Sequence, residues 1–156
     1  MRIAHCPLDG LTGHEAGRKL LAQLYREETG EPLPPIAKLP GGKPYFENSP
    51  WLFSISHTPR HAFCILSKNN VAIDAEEADR QINLRLAEKI LSPGEKRQFD
   101  AAPDRQRALL TFWVLKEADA KLTGKGIRGF PNHTDFSLDD PRVTLLDGCI
   151  VAVMEE

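Results

Sequence analysis

Between Gly13 and Glu28 the apolar residues Ala16, Leu20, Leu21 and Leu24 recur every three or four positions. That is the spacing of one helix face, and Gly30 stands where a left-handed closing residue belongs. Residues 2–6 read as a short strand before it. A proline-rich passage follows (Pro32, Pro34, Pro35, Pro40) and ends in Gly41-Gly42-Lys43-Pro44-Tyr45, an ordered connection with a turn or extended loop. From Trp51 the period shortens. Trp51–Ile55, His61–Leu66 and Val71–Glu76 predict three strands. Their links are Ser56-His57-Thr58-Pro59-Arg60 and Ser67-Lys68-Asn69-Asn70. Both are short and the Asn-Asn pair suits a tight hairpin, so an antiparallel meander is expected.

Leu84, Leu86, Ala87, Ile90 and Leu91 return to helical spacing. Ser92-Pro93-Gly94-Glu95 then restarts the chain with an N-cap, a proline at the first helical position and a glutamate at the third. Pro103-Asp104 opens a long helix through Leu122, closed by Gly124. Phe136–Leu138, Val143–Leu146 and Cys149–Met154 predict final strands, with Asp147-Gly148 as a hairpin turn. Strands, helices and strands again give an α+β domain covering 1–156.

Composition narrows the class. At 156 residues, 41% hydrophobic and 27% charged, the chain is an ordinary globular domain. Its net charge of −2 argues against a nucleic-acid binder. Cys6, Cys64 and Cys149 stand far apart, which fits neither a disulfide framework nor a zinc motif. No apolar run has the length of a membrane span, and the N-terminus lacks a signal-peptide core. A cytoplasmic protein is expected.

Two stretches carry candidate chemistry. In Phe112-Trp113-Val114-Leu115-Lys116-Glu117-Ala118-Asp119-Ala120-Lys121-Leu122-Thr123-Gly124-Lys125-Gly126, residues four apart share a face, so Trp113, Glu117 and Lys121 form one stripe. A helix ion pair is the plain explanation, and a metal or phosphate site is the sharper one. In Val71-Ala72-Ile73-Asp74-Ala75-Glu76, Asp74 and Glu76 project to the same side of a strand. They are either solvated acids or oxygen ligands for a hard cation such as Mg²⁺. Glu117 becomes a third carboxylate if the long helix packs across this strand. His57, at a strand end, and Lys43, beside two glycines, are turn residues or phosphate contacts.

Taken in order, Gly42-Lys43-Pro44-Tyr45, Phe53-Ser54-Ile55-Ser56-His57-Thr58, Ile73-Asp74-Ala75-Glu76 and the Trp113-to-Gly126 pattern resemble the 4′-phosphopantetheinyl transferase superfamily. The nearer branch is the one that activates carrier domains of surfactin-type synthetases. The resemblance runs over roughly residues 13–140. It implies two pseudo-symmetric α+β halves, at about 1–70 and 71–156, with antiparallel strands, a long helix and an abbreviated N-terminal half. It also implies transfer of the phosphopantetheine arm of coenzyme A to a serine of an apo acyl or peptidyl carrier protein, with Mg²⁺. On this chain Asp74, Glu76 and Glu117 match the metal ligands, Glu76 directly or through water. Glu117 matches the group that deprotonates the serine, directly or through a metal-bound water. Lys121 matches the lysine that stabilises the pyrophosphate and leaving group. Lys43 and His57 match coenzyme A contacts, and Lys116 and Trp113 match motif positions that position and pack, with Lys116 counted among the coenzyme contacts. Ala72 departs from the glycine usual two residues before the aspartate. Upstream, Arg2, Arg18 and Lys19 are the basic residues available for a 3′-phosphate.

The same resemblance makes an acidic carrier protein the partner. Residues 80–107 carry seven basic residues (Arg80, Arg85, Lys89, Lys96, Arg97, Arg105, Arg107) against Glu88, Glu95, Asp100 and Asp104. Such a patch either steers association with an acidic surface or is a solvated helical face. Leu84, Leu86 and Leu91 are either an apolar contact within it or core. A monomer is expected, with a dimer as the alternative. Other readings are a non-catalytic coenzyme A-binding module and a different metal-dependent phosphoryl enzyme.

Overall fold

A computed structural model describes residues 1–124 and 134–156; Lys125 and Gly126, which close the helix motif, lie outside these residues. The chain runs β1 (Arg2–Pro7), α1 (Gly13–Thr29), β2 (Ile36–Lys38), β3 (Pro44–Phe46), β4 (Leu52–His57), β5 (His61–Ser67) and β6 (Val71–Glu77). A 3-10 turn (Leu84–Leu86) leads into α2 (Ala87–Ile90) and α3 (Pro93–Ala101). The long α4 (Arg105–Thr123), β7 (Val143–Leu146) and β8 (Cys149–Glu155) complete it. Among the described residues no helix is long and apolar enough to cross a membrane.

Helix ends follow the local signals. Thr12 and Ser92 each close a capping box with the glutamate three residues on, Asp104 caps α4, and Gly30 and Gly124 end α1 and α4 in the left-handed conformation. Asp147 and Gly148 both take positive φ, 48° and 73°, as a two-residue hairpin requires.

Strand partners differ from the expected meander. One antiparallel sheet has the order β1-β5-β4 and another the order β6-β8-β7, with β2 and β3 as a separate hairpin. β4 and β5 pair as expected, but β6 pairs with β8, not β5. Asn69-Asn70 is therefore no hairpin turn. It carries the chain from one sheet to the other, and Asn70 ties the crossing down by bonding Leu122 O (3.2 Å) and accepting from Glu156 N (2.9 Å).

Side-chain alternation along β5 explains why nearly all of it is buried. Ala62, Cys64 and Leu66 pack under α1 with Leu20, Leu21 and Leu24. Phe63 and Ile65 face the opposite way, onto Val71, Ile73, Ala75, Cys149 and Val151 of the second sheet. Ala72, Ile150, Ala152 and Met154 point away from that layer and bury α4 through Leu109, Phe112, Leu115 and Ala118. The result is four layers, helix, sheet, sheet, helix, with three apolar seams. Leu91 belongs to the α4 core, and Leu84 and Leu86 pack partly buried against it.

No strand forms at Phe136–Leu138. Its backbone groups bond side chains of α3 instead: Phe136 N–H donates to Glu95 Oε1 (3.0 Å), Leu138 N–H to Gln98 Oε1 (3.0 Å), and Gln98 Nε2 donates to Phe136 O (3.1 Å). Glu95 also accepts from Ser92 N–H (2.9 Å) and pairs with Lys116 Nζ at 2.8 Å, both side chains fully buried. This one carboxylate thus joins α3, α4 and the 136–138 segment.

Removing one partner of a buried ion pair strands the other charge, at a cost of about 3–5 kcal/mol. Lys116→Met should lower the free energy of unfolding, measured by urea denaturation, by that amount. Glu95→Gln in the same background should recover part of the loss, since the stranded charge is gone and the amide oxygen still accepts from one of the two backbone donors, Ser92 or Phe136.

Candidate active site

The site grows from the line where β4 and β6 run side by side without a backbone ladder. Ser54 and Ser56 stand two apart on β4 and turn their hydroxyls to β6. Ile73 N–H donates to Ser54 Oγ and Ala75 N–H to Ser56 Oγ, both at 3.2 Å, and Ser56 Oγ donates to Asp74 Oδ1 at 3.0 Å. Lys121 reaches into the same line from α4. Its ammonium donates to Asp74 Oδ1 (2.8 Å), Ile73 O (3.0 Å) and Ile55 O (3.4 Å). Asp74 is 7% exposed.

The pleat puts Asp74 and Glu76 on the α4 side of β6, in line with Ala72, whose methyl is buried in the α4 core. Glu117, one turn before Lys121, faces both acids. Burial first, then the negative field of Asp74 and Glu76, outweighs Lys121 and Arg80 and pushes Glu117 from an ordinary 4.5 up to about 7. Asp74 is also raised, by burial against the pull of Lys121. Glu76 is paired with Arg80.

A cavity of about 380 Å³ opens beside this cluster. Gly41, Gly42, Lys43 and Pro44, from the β2–β3 turn, form one wall; Phe53, Ser54 and Ile55 another; Glu117, Ala120, Lys121 and Gly124 the third. Gly41 sits so close to the end of α4 that a Cβ there would lie 2.1 Å from Gly124 O. Lys43 is half-buried, which lowers its pKa, and donates to Leu122 O (2.9 Å) and to Asn70 Oδ1. It thereby caps the C-terminal end of α4, where a cation suits the helix dipole.

Glu117, Lys121, Asp74, Glu76 and Lys43 are therefore brought together. His57 and Lys116 are not in the cavity wall. His57 is exposed at the end of β4 with its ring over the first turn of α1, where a Cβ on Gly13 would fall 2.3 Å from His57 Cγ. Lys116 is turned to Glu95, and Trp113 packs partly buried on the α4 core. Arg2 is occupied by Glu28 (2.7 Å) and Glu27 (3.4 Å). The residues missed by sequence reasoning are Ser54, Ser56, Asn70 and Arg80. The i, i+2 spacing of the two serines, matching that of Asp74 and Glu76, is the signal that would have found the first pair.

Chemically the acidic set suits a hard divalent cation: it offers oxygen donors only, and burial beside two other acids holds the Glu117 carboxyl up at about 7. Their oxygens do not all lie within 4.8 Å of one another; Asp74 is drawn to Lys121 and Glu76 to Arg80.

The family profile described as the 4′-phosphopantetheinyl transferase superfamily matches residues 70–147, half of the chain. The chain is similar to the 4′-phosphopantetheinyl transferase psf-1 of Bacillus pumilus, 30% identical over 135 residues, covering 85% of this chain and 54% of that protein. It is also similar to the 4′-phosphopantetheinyl transferase HetI of Nostoc sp., 34% identical over 94 residues, covering 55% of this chain and 40% of that protein. The chain thus spans about half the length of the curated relatives it matches.

A raised carboxyl pKa has a thermodynamic sign. Between about pH 4.5 and 7 the folded state keeps a proton on Glu117 that the unfolded chain has lost, so stability falls as pH rises through that window. Relative to Glu117→Gln, the wild type should lose on the order of 1–2 kcal/mol between these limits, after discounting for solvent screening. Urea unfolding of both proteins at a series of pH values measures it. Parallel curves would remove the raised pKa.

Proposed function

The chain belongs to the 4′-phosphopantetheinyl transferase superfamily, and we propose that it moves the 4′-phosphopantetheine arm of coenzyme A onto a serine of an apo acyl or peptidyl carrier protein, releasing 3′,5′-ADP. The observation that carries this reading is the cavity in which Glu117 and Lys121, one turn apart on α4, face the glycine-flanked Lys43. A carboxyl near neutral pKa beside fixed ammonium groups is what phosphoryl transfer to a hydroxyl needs.

In this reading the serine oxygen bonds the phosphorus that bears the pantetheine arm, and the bond from that phosphorus to the bridging oxygen breaks. The serine proton passes to the Glu117 carboxylate. With a pKa of about 7, Glu117 is poised between taking a proton and giving it up near neutral pH. The bridging oxygen leaves with 3′,5′-ADP, its charge facing Lys121. Three acceptors on two strands hold that ammonium in place before substrate arrives, so no reorganisation is required of it. Lys43 holds a coenzyme phosphate from the opposite wall, and His57 contacts one from the rim. Lys116 serves by positioning α4 through Glu95, not by touching the coenzyme. Asp74, Glu76 and Glu117 would hold Mg²⁺, which when bound offsets charge on the pyrophosphate oxygens.

The sheet topology supports the nearer branch. Each sheet orders its strands first, third, second, with a helix between the first and second: β1-α1-β4-β5 in one unit, β6-α4-β7-β8 in the other. We read these as related halves of one domain, the first of them abbreviated, and the protein as a cytoplasmic monomer; its three cysteines are free. An acidic carrier surface is the partner for 80–107. Glu95 is buried with Lys116, so the exposed face of that segment is more positive than its composition suggests, although Glu88 and Asp100 bond Lys96.

Intact mass of an apo carrier protein, incubated with the protein, coenzyme A and Mg²⁺, should rise by one phosphopantetheine, and EDTA should prevent it. No gain on either an apo acyl or an apo peptidyl carrier domain would refute the activity. Glu117→Gln should lower kcat about 10²- to 10⁴-fold, the range of general-base catalysis. Lys121→Ala should reduce kcat more than it raises KM for coenzyme A; an effect confined to KM would assign it to binding alone.

A further inference from the structure

At the rim of the layer between the two sheets, three side chains from three strands point at one another. They are His61 at the start of β5, Glu77 at the end of β6 and Cys149 at the start of β8. His61 Nδ1 is 3.1 Å from Glu77 Oε1 and 3.6 Å from Cys149 Sγ. One ligand atom from each lies within 4.8 Å of the others, and among the described residues no other group of three does so. The cluster is on the opposite face of β6 from Asp74 and Glu76, alongside Ala75 and Phe63.

We propose that His61, Glu77 and Cys149 form a binding site for a zinc-class divalent ion that joins the two sheets. A tetrahedral zinc with bonds of about 2.0–2.3 Å sets its ligand atoms roughly 3.3–3.7 Å apart. The imidazole and thiol are already at that spacing, and the carboxylate oxygen is slightly closer. The donor set is mixed sulfur, nitrogen and oxygen, which favours zinc over the hard cations that need oxygen alone. The charges also close. The thiol gives one proton to solvent, the imidazole binds neutral with its proton on Nε2, and thiolate plus carboxylate balance the ion. Arg60 bonds the other oxygen, Oε2, at 2.7 Å, leaving Oε1 for the metal and fixing the carboxylate as an outer partner does. The Thr58 hydroxyl, bonded to Glu77 Oε1, lies at the same point. The His61 side chain is 18% exposed and the other two are buried, so the fourth position opens to water on the imidazole side.

The site owes nothing to the transferase reading, and its test needs no activity. The full chain, freed of metal with EDTA, is titrated with Co²⁺ alone and then Zn²⁺ alone. A thiolate-to-cobalt charge-transfer band should saturate at one Co²⁺ per chain, any ion on the Asp74, Glu76 and Glu117 carboxylates adding none, Zn²⁺ should bleach it, and the thermal midpoint should rise with either ion. Cys149→Ser should lose the band while Cys6→Ser keeps it. His61→Asn, on the partly exposed rim and checked for folding by circular dichroism, should weaken Co²⁺ binding about tenfold or more. Absence of a thiolate band at saturating Co²⁺ would overturn the proposal. So would a band that survives in Cys149→Ser, or, should that variant not fold, Co²⁺ affinity unchanged in His61→Asn.

Discussion

Everything at the site depends on how two sheet edges meet. β4 and β6 each end a sheet, and each would present a row of unpaired N–H and C=O groups to the other in a place shut off from water. Such groups must be paired. The pairing comes from side chains: two serine hydroxyls accept from β6, and one lysine donates to a carbonyl on each strand. That solution makes the cavity and the architecture share atoms. Lys121 closes the seam and faces the cavity at once, and Asp74 is the anion that keeps it there. Glu117 inherits its position from Lys121, because residues one turn apart on a helix have little freedom to separate.

The contrast with Lys116 shows how much depends on helical phase. Five residues separate the two lysines, which turns them about 140° apart around the axis. One meets the seam and the cavity. The other enters the apolar layer between α4 and α3, where the only tolerable arrangement is a carboxylate partner, and Glu95 supplies it with three donors satisfied together. Two residues of one type in one motif therefore sit in different surroundings, one facing the cavity and one fixing the helix that borders it.

Helix ends and the Asp147-Gly148 hairpin were legible in the sequence because their signals are local: capping boxes, closing glycines, a pair of residues tolerant of positive φ. So was the common side of Asp74 and Glu76, which follows from the pleat alone. Strand partners were not. Nothing near Asn69-Asn70 says that β6 leaves β5 for a strand almost eighty residues on, since a short polar link serves a hairpin and a sheet-to-sheet crossing equally well. Phe136–Leu138 has strand-like composition, but its backbone bonds are taken by Glu95 and Gln98, whose positions belong to another helix. His57 was placed by motif order, whereas its actual neighbour, Gly13, is set by the packing of α1 on β4.

The layered plan has a consequence for how the chain acquires its structure. Within each unit the helix and the sheet beneath it share an apolar cluster of their own. The middle layer, built from Phe63, Ile65, Ile73 and Val151, requires both sheets to exist first. Collapse should therefore begin at two separate nuclei, with docking of one on the other as the late and slower event, and between the two a transient species would expose the inner faces of both sheets to association with other chains.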